Sequence, residues 1–289
     1  MALAEELGLE VVSADAMQVY RGLDVGTAKP TVEERRRVPH HLVDVVDPHE
    51  RFSVARYVEL AEAAIADVLA RGSVPLVVGG TGFYLRALRE GLPTAPEADL
   101  ERQAPLWRAV EEGRLDELVA ELEAASPADA ARAARNPRRV VRSLEVLRLT
   151  GSPPSAFPPT LPRFSYEVFV LDPPPEELRR RIARRARRQF EQGLVDEVRT
   201  LMERYPDLPT AKQSIGYKEV VPHVRGEATL EEAVVAVTVA TARYAKRQRT
   251  WFRREPDVRR LPMTGEEAVP LLRARLLELG LVGRDATGR

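Results

Sequence analysis

The chain has 289 residues, with 44 basic and 44 acidic side chains and no formal net charge. At 44% hydrophobic and 30% charged residues it reads as a globular protein with a sizeable core, and its length allows about two domains. Cysteine is absent, which excludes disulfides, thiolate catalysis, cysteine-held zinc and iron–sulfur clusters; no apolar run reaches membrane-spanning length and no signal peptide is visible, so the expected location is the cytoplasm.

Met1 to Leu9 read as the last turns of a helix, and Val11 and Val12 as the end of a short buried strand. Ser13, Ala14 and Asp15 follow, so a carboxylate emerges at the carboxyl end of that strand. In open α/β sheets, ligands bind along that edge. Two readings of Asp15 stand on spacing alone: a general base with Gln18 orienting its partner, or a helix N-cap. Ser53 caps a helix whose apolar positions run Val54, Tyr57, Val58, Ala61, Ile65, Val68 and Leu69, and Gly72 stops it. Residues 74–78 form a continuous apolar run. Gly79, Gly80, Thr81 and Gly82 then turn the chain into another helix, the strand–turn–helix order of α/β folds. These glycines let backbone approach a ligand or let strand and helix pack tightly.

Residues 100–123 read as one amphipathic helix. Ser126 with Pro127, and Asn136 with Pro137, have the cap-then-proline pattern of helix starts. The second of these helices carries Arg135, Arg139 and Arg142 along one side and Val140, Leu144 and Leu147 along the other. Residues 151–162 are rich in proline and serine and read as a linker. A strand is expected over 166–171, helical stretches over 176–204 and 229–254, a short strand over 258–261 and a last helix over 266–279. Charge is unevenly placed. Acids dominate 97–123, while arginines crowd 132–148, 179–188 and 243–254. That clustering suits an anionic polymer as well as solvated helix faces. Lys212 to Lys218, which includes Gln213 and Tyr217, mixes cations, an amide and an aromatic, a set suited to an unstacked base and its backbone. His40, His41, His49 and His223 lack zinc-ligand spacing.

Taken together, residues 13–22, 24–30 and 38–42, the Val78–Tyr84 turn, the arginine helix over 138–146, and the late motifs 215–218 and 250–253 resemble the bacterial tRNA dimethylallyltransferase (tRNA isopentenyltransferase) family. The resemblance runs from residue 1 to about 262. It implies an α/β fold: a parallel sheet like that of P-loop nucleotide kinases, with a helical insertion. The core is expected over 1–95 and 160–289, and the insertion, contributing to tRNA binding, over 96–159. The implied reaction moves a dimethylallyl group from dimethylallyl diphosphate to the exocyclic amine of the adenine 3′-adjacent to the anticodon, with Mg²⁺ as cofactor. Asp15 is implied as general base, and Thr81 as a second catalytic-site residue lining the channel. Asp15, Ala16, Met17 and Gln18 would contact the target base. Arg102, Arg138, Arg139, Arg142, Lys212, Gln213, Ser214, Ile215, Gly216, Tyr217 and Lys218 would contact the anticodon arm. No membrane partner is implied, and a monomer is expected.

Family members open with a strand and a Gly-Pro-Thr-Ala-Ser-Gly-Lys-Thr type loop. No Walker sequence occurs in this chain. By the family's layout that strand lies mid-sheet, so the expectation is a truncated or misplaced start and a sheet divided at its centre. The residues leave two alternatives: a catalytically inactive tRNA-binding remnant, and a kinase-like enzyme of small metabolites.

Overall fold

Helix α1 (Ala2–Leu7) ends at Gly8, whose φ of 62° reverses the chain into strand β1 (Glu10–Ser13). The computed structural model describes residues 1–205 and 214–283. It divides into two compact units: Met1–Arg89 with Phe164–Arg289, and Glu90–Arg163.

In the first unit, α2 (Val32–Arg37) starts in a capping box formed by Thr31 and Glu34 and leads to β2 (His40–His41). Ser53 caps α3 (Val54–Ala70), as its position before the apolar repeat implied. Strand β3 (Pro75–Val78) then turns through the glycines into α4 (Gly82–Glu90). Strand β1 lies between β2 and β3, parallel to both, with Val11 opposite His40 and Val12 opposite Val77. It is buried along its whole length, with Glu10 at its start paired to Arg71 and His41. Val12 packs on Tyr57, Ala61 and Ile65 of α3 and on Tyr84 and Leu88 of α4. Val11 packs among Leu3, Leu7 and Leu9, with Val269 and Leu272 against them.

The second unit holds α5 (Leu100–Glu111), α6 (Leu115–Ala125), α7 (Pro127–Ala133) and α8 (Pro137–Thr150) around Leu106, Leu118, Leu122, Val140 and Leu144. The single helix expected over 100–123 is two helices, because Gly113 takes a left-handed φ of 80° between them. The boundaries also fall wider than expected, at 90 and 163. The segment read as a linker is zipped to its counterpart. Thr94 N–H donates to Pro158 O at 3.0 Å, Thr160 N–H to Leu92 O at 2.8 Å, and Gly91 lies too close under the Thr160 carbonyl to carry a side chain.

Back in the first unit come β4 (Phe169–Leu171), α9 (Pro175–Glu191), α10 (Leu194–Arg204), α11 (Tyr217–Val224), α12 (Leu230–Phe252), β5 (Arg259–Leu261) and α13 (Gly265–Glu278). The stretch expected to be helical over 176–204 breaks at Gly193, φ 95°. The strand expected over 166–171 is shorter, because Tyr166 joins the α3–α4 core instead. Strands β4 and β5 are parallel and form a sheet separate from β2-β1-β3.

Candidate active site

The site forms where β1 and β3 end. Ala14 N–H donates to Val78 O at 2.7 Å and Thr81 N–H donates to Ala14 O at 3.2 Å, so the two strand ends are tied together. A side chain on Gly79 would run into the Ala14 carbonyl; only glycine permits that approach. Thr81 Oγ1 accepts from Ala16 N–H at 3.0 Å. Asp15 Oδ1 accepts from the N–H groups of Met17 at 2.8 Å and Gln18 at 3.2 Å. The cap that Asp15 forms is on a turn and not on a helix, and it uses one oxygen. The other, Oδ2, has no hydrogen bond among the described residues. Gln18 is clamped, its Oε1 accepting from Ser13 Oγ at 3.2 Å and its Nε2 donating to Thr27 O at 3.2 Å.

Helix α12 lies against this turn. Gln248 Nε2 donates to Gly80 O at 3.0 Å. Side chains on Gly80 and Gly82 would strike Gln248 and Trp251. Arg86 stacks on Trp251 at 4.4 Å and, with Arg89, pairs with the buried Glu255. This alignment brings the partly exposed Tyr244 beside the Thr81 and Gln248 side chains and into the field of Asp15. Burial and the Asp15 charge push the Tyr244 phenol up, so it stays protonated at neutral pH and does not compete as a base. Helix α9 packs on α12 and contributes Arg185, which also lies within electrostatic reach of Asp15. Arg185 is open to solvent yet hemmed in by protein. Desolvation and the like charge of Arg188 hold its guanidinium below the ordinary value, against the pull of Asp15. Neither arginine has an ion pair among the described residues. A free carboxylate oxygen with an unpaired cation within electrostatic reach, at the carboxyl end of parallel strands, is an arrangement able to take a proton from one partner and hold an anion of another.

The sequence matches the family model described as IPP transferase over residues 18–255. The chain belongs to the IPP transferase family. It is 59% identical to a tRNA dimethylallyltransferase of Thermus thermophilus over 93% of this chain and 89% of that protein. It is 49% identical to the protein of that name in Deinococcus radiodurans over 88% and 85%. Its fold is similar to a full-length tRNA isopentenylpyrophosphate transferase of Bacillus halodurans, with a TM-score of 0.69, 36% identity, and 96% and 90% of the two chains covered. A eukaryotic dimethylallyltransferase solved acting on tRNA is also similar, with a TM-score of 0.77, 28% identity, and 96% and 73% covered.

Of the residues singled out in this IPP transferase chain, Asp15, Ala16, Met17, Gln18 and Thr81 share the strand-end site. The late motif behaves differently. Lys212 and Gln213 lie outside the described residues. Ser214, Gly216 and Tyr217 are buried, and Ile215 is half-buried. Tyr217, expected as an aromatic offered to a base, is instead a buried part of the fold. It is 3% exposed, it covers Gly26, and its hydroxyl donates to Glu197 at 2.6 Å. Ser214 Oγ donates to Met17 Sδ at 3.3 Å. Lys218 alone of the described set is exposed, with Glu219 at 3.6 Å.

In the second unit, Arg138 and Arg139 are exposed near the start of α8, while Arg142 is committed to the fold. It pairs with the buried Glu145 at 2.6 Å and donates to Pro96 O. Arg102 pairs with Asp99 at 3.4 Å, and Arg135 is neutralised by Asp116. The basic face of α8 is therefore narrower than its sequence suggests. Arg185, Tyr244 and Gln248 were not singled out for the site. A signal for Arg185 was present: neither it nor Arg184 has an acid three or four residues away on its helix, so neither has an intrahelical partner.

Proposed function

We propose that the chain transfers a dimethylallyl group from dimethylallyl diphosphate to the exocyclic amine of the adenine 3′-adjacent to the anticodon of tRNA, as a cytoplasmic monomer. The observation that carries this reading is the half-tethered carboxylate of Asp15 at the strand ends, with one oxygen on the Met17 and Gln18 amides and Arg185, which has no ion pair among the described residues, within electrostatic reach. The amine is a weak nucleophile because its lone pair is delocalised into the purine. Asp15 Oδ2 takes its proton as the new C–N bond forms, while Oδ1 stays on the Met17 and Gln18 amides and holds the group in place. The allylic C–O bond breaks, and its electron pair leaves with diphosphate. Arg185 offsets that charge. The adenine must leave its stack to reach Asp15, at a cost of about a few kcal/mol, and cationic contacts to the anticodon arm offset it.

Diphosphate chemistry implies Mg²⁺. Among the described residues no three His, Asp or Glu side chains gather to hold a metal, and one Asp15 oxygen is already occupied by two amides. The described residues do not make a Mg²⁺ site by themselves, and no step above passes through one. No described helix is long and apolar enough to cross a membrane.

The direct test incubates the chain with dimethylallyl diphosphate and a tRNA bearing adenine at that position. A five-carbon mass increment on that one nucleoside is expected. Absence of both transfer and salt-sensitive tRNA binding would remove the reading, and binding without transfer would favour the inactive remnant.

A further inference from the structure

The Asp24–Pro30 motif and the 215–218 motif, far apart in sequence, meet on one carboxylate. Glu197 of α10 accepts from the N–H groups of Asp24 at 2.9 Å and Val25 at 2.8 Å through Oε2. Through Oε1 it accepts from Gly26 N–H at 2.9 Å and from the Tyr217 hydroxyl at 2.6 Å. Successive backbone N–H groups converging on one point form an anion-binding nest, and here the anion is a side chain of the protein. Gln189 of α9 holds the opposite polarity of the same loop, with Nε2 donating to Val25 O at 2.8 Å and Gly26 O at 3.0 Å. The Tyr217 ring lies so close to Gly26 that a side chain there would collide with it.

The loop is also pinned from below. Lys29 Nζ, almost wholly buried, donates to Tyr20 O at 2.8 Å and pairs with Asp24 at 2.5 Å and Asp44 at 2.6 Å. Ala28 takes a left-handed φ of 50°, which a residue with a side chain keeps only where its surroundings over-determine it. The carbonyls that this conformation presents, Thr27 O and Ala28 O, receive Gln18 Nε2 at 3.2 and 3.5 Å. A continuous series of hydrogen bonds therefore runs from Glu197 through the 24–28 backbone to Gln18, whose own N–H binds Asp15.

We infer that Glu197 is a positioning residue: with Tyr217 and Gln189 it fixes the 24–29 loop so that Gln18 stands beside Asp15 in the orientation that receives the target base. The inference rests on the proposed function for its catalytic consequence, and on the geometry alone for its physical one. It assigns the 215–218 motif a role in shaping the site from behind, where its buried aromatic could not touch a ligand.

Two measurements test it. In Glu197→Gln an amide nitrogen replaces one acceptor oxygen and faces an N–H group. Amide hydrogen exchange should speed up about tenfold or more at residues 24–26 and also at Met17 and Gln18, and stay unchanged at Val11 and Val12 in β1. Tyr217→Phe, which deletes one of the hydrogen bonds and keeps the ring, should show the same pattern more weakly if Glu197→Gln fails to fold. In turnover, Glu197→Gln should lower kcat/KM for tRNA by about ten- to a hundredfold, yet by less than about twofold when Gln18 is already alanine, because the two act as one unit. Loss from a merely structural defect would be the same in both backgrounds. Unchanged exchange at Met17 and Gln18, or equal losses in the two backgrounds, overturns the inference. A parent chain that transfers no prenyl group speaks against the proposed function only; the exchange pattern then decides this inference by itself.

Discussion

At the residue scale, the division of labour within one carboxylate makes a sharp prediction. Asn at position 15 keeps an oxygen for the Met17 and Gln18 amides but cannot take a proton from an amine. Asp15→Asn should therefore lower kcat by about 10²–10⁴ while leaving the tRNA Kd within about threefold; unchanged single-turnover rates would take Asp15 out of the mechanism. Arg185 predicts the complementary defect. It lies within electrostatic reach of Asp15 and has no ion pair among the described residues, so it is available to an anion. Arg185→Ala should cut kcat/KM for dimethylallyl diphosphate by about 10² with tRNA affinity little changed. Steady-state kinetics varying each substrate in turn separates the two. Asp15 was legible from its place after a buried strand. Arg185 was harder to single out in a crowd of arginines, since only the fold decides which of them meets an acid.

At the element scale, the arginine helix α8 shows why a charged face cannot be read from spacing alone. Glu145 is 2% exposed and accepts from Asp99 N–H at 2.5 Å, Gln103 at 2.8 Å and Arg142 at 2.6 Å. Burial works to raise its pKa, but these hydrogen bonds outweigh it and hold the carboxyl below its usual value. Removing it leaves Arg142 and the Asp99 amide unpaired. Glu145→Ala should destabilise this unit by about 3–5 kcal/mol, read as an earlier unfolding transition in denaturant. Asp129 is held low as well: burial opposes, and Ser155 and Ser126 prevail. The sign follows from linkage. Both groups bind protons more weakly folded than unfolded, so their contribution is complete above about pH 5 and is lost as pH falls through about 4 and below. Circular dichroism across that range should show the unit losing stability with acid, and Glu145→Gln should flatten the dependence. The helices themselves were readable, because caps such as Ser53, Ser126 and Asn136 satisfy orphan N–H groups through local chemistry. The breaks at Gly113 and Gly193 were less so, since a glycine inside a periodic stretch reads equally as tolerated or as a stop.

At the scale of the whole molecule, a formal charge of zero conceals cations that the fold leaves unpaired. Arg184, Arg187 and Arg188 on α9 and Arg138 on α8 are exposed and have no ion pair among the described residues. If they neutralise phosphates, tRNA binding weakens steeply with salt, and Arg188→Ala and Arg138→Ala should each flatten the slope of log K against log salt by about one. Arg135→Ala should leave the slope unchanged, because Asp116 already neutralises that guanidinium. Filter binding over a salt series reads all three.

The sequence by itself determined the local pieces: the apolar run that becomes β3, capped helices, a glycine turn, and a carboxylate placed after a strand. It also carried the family resemblance, because those pieces are set by neighbours a few residues away. Only the tertiary structure decided which polar groups were already spent. Glu197 on the 24–26 amides, Tyr217 under Gly26, Glu145 on Arg142 and Gln248 on Gly80 are all long-range or buried pairings. A side chain is free to do chemistry only after such partners have been counted, and sequence spacing does not report them.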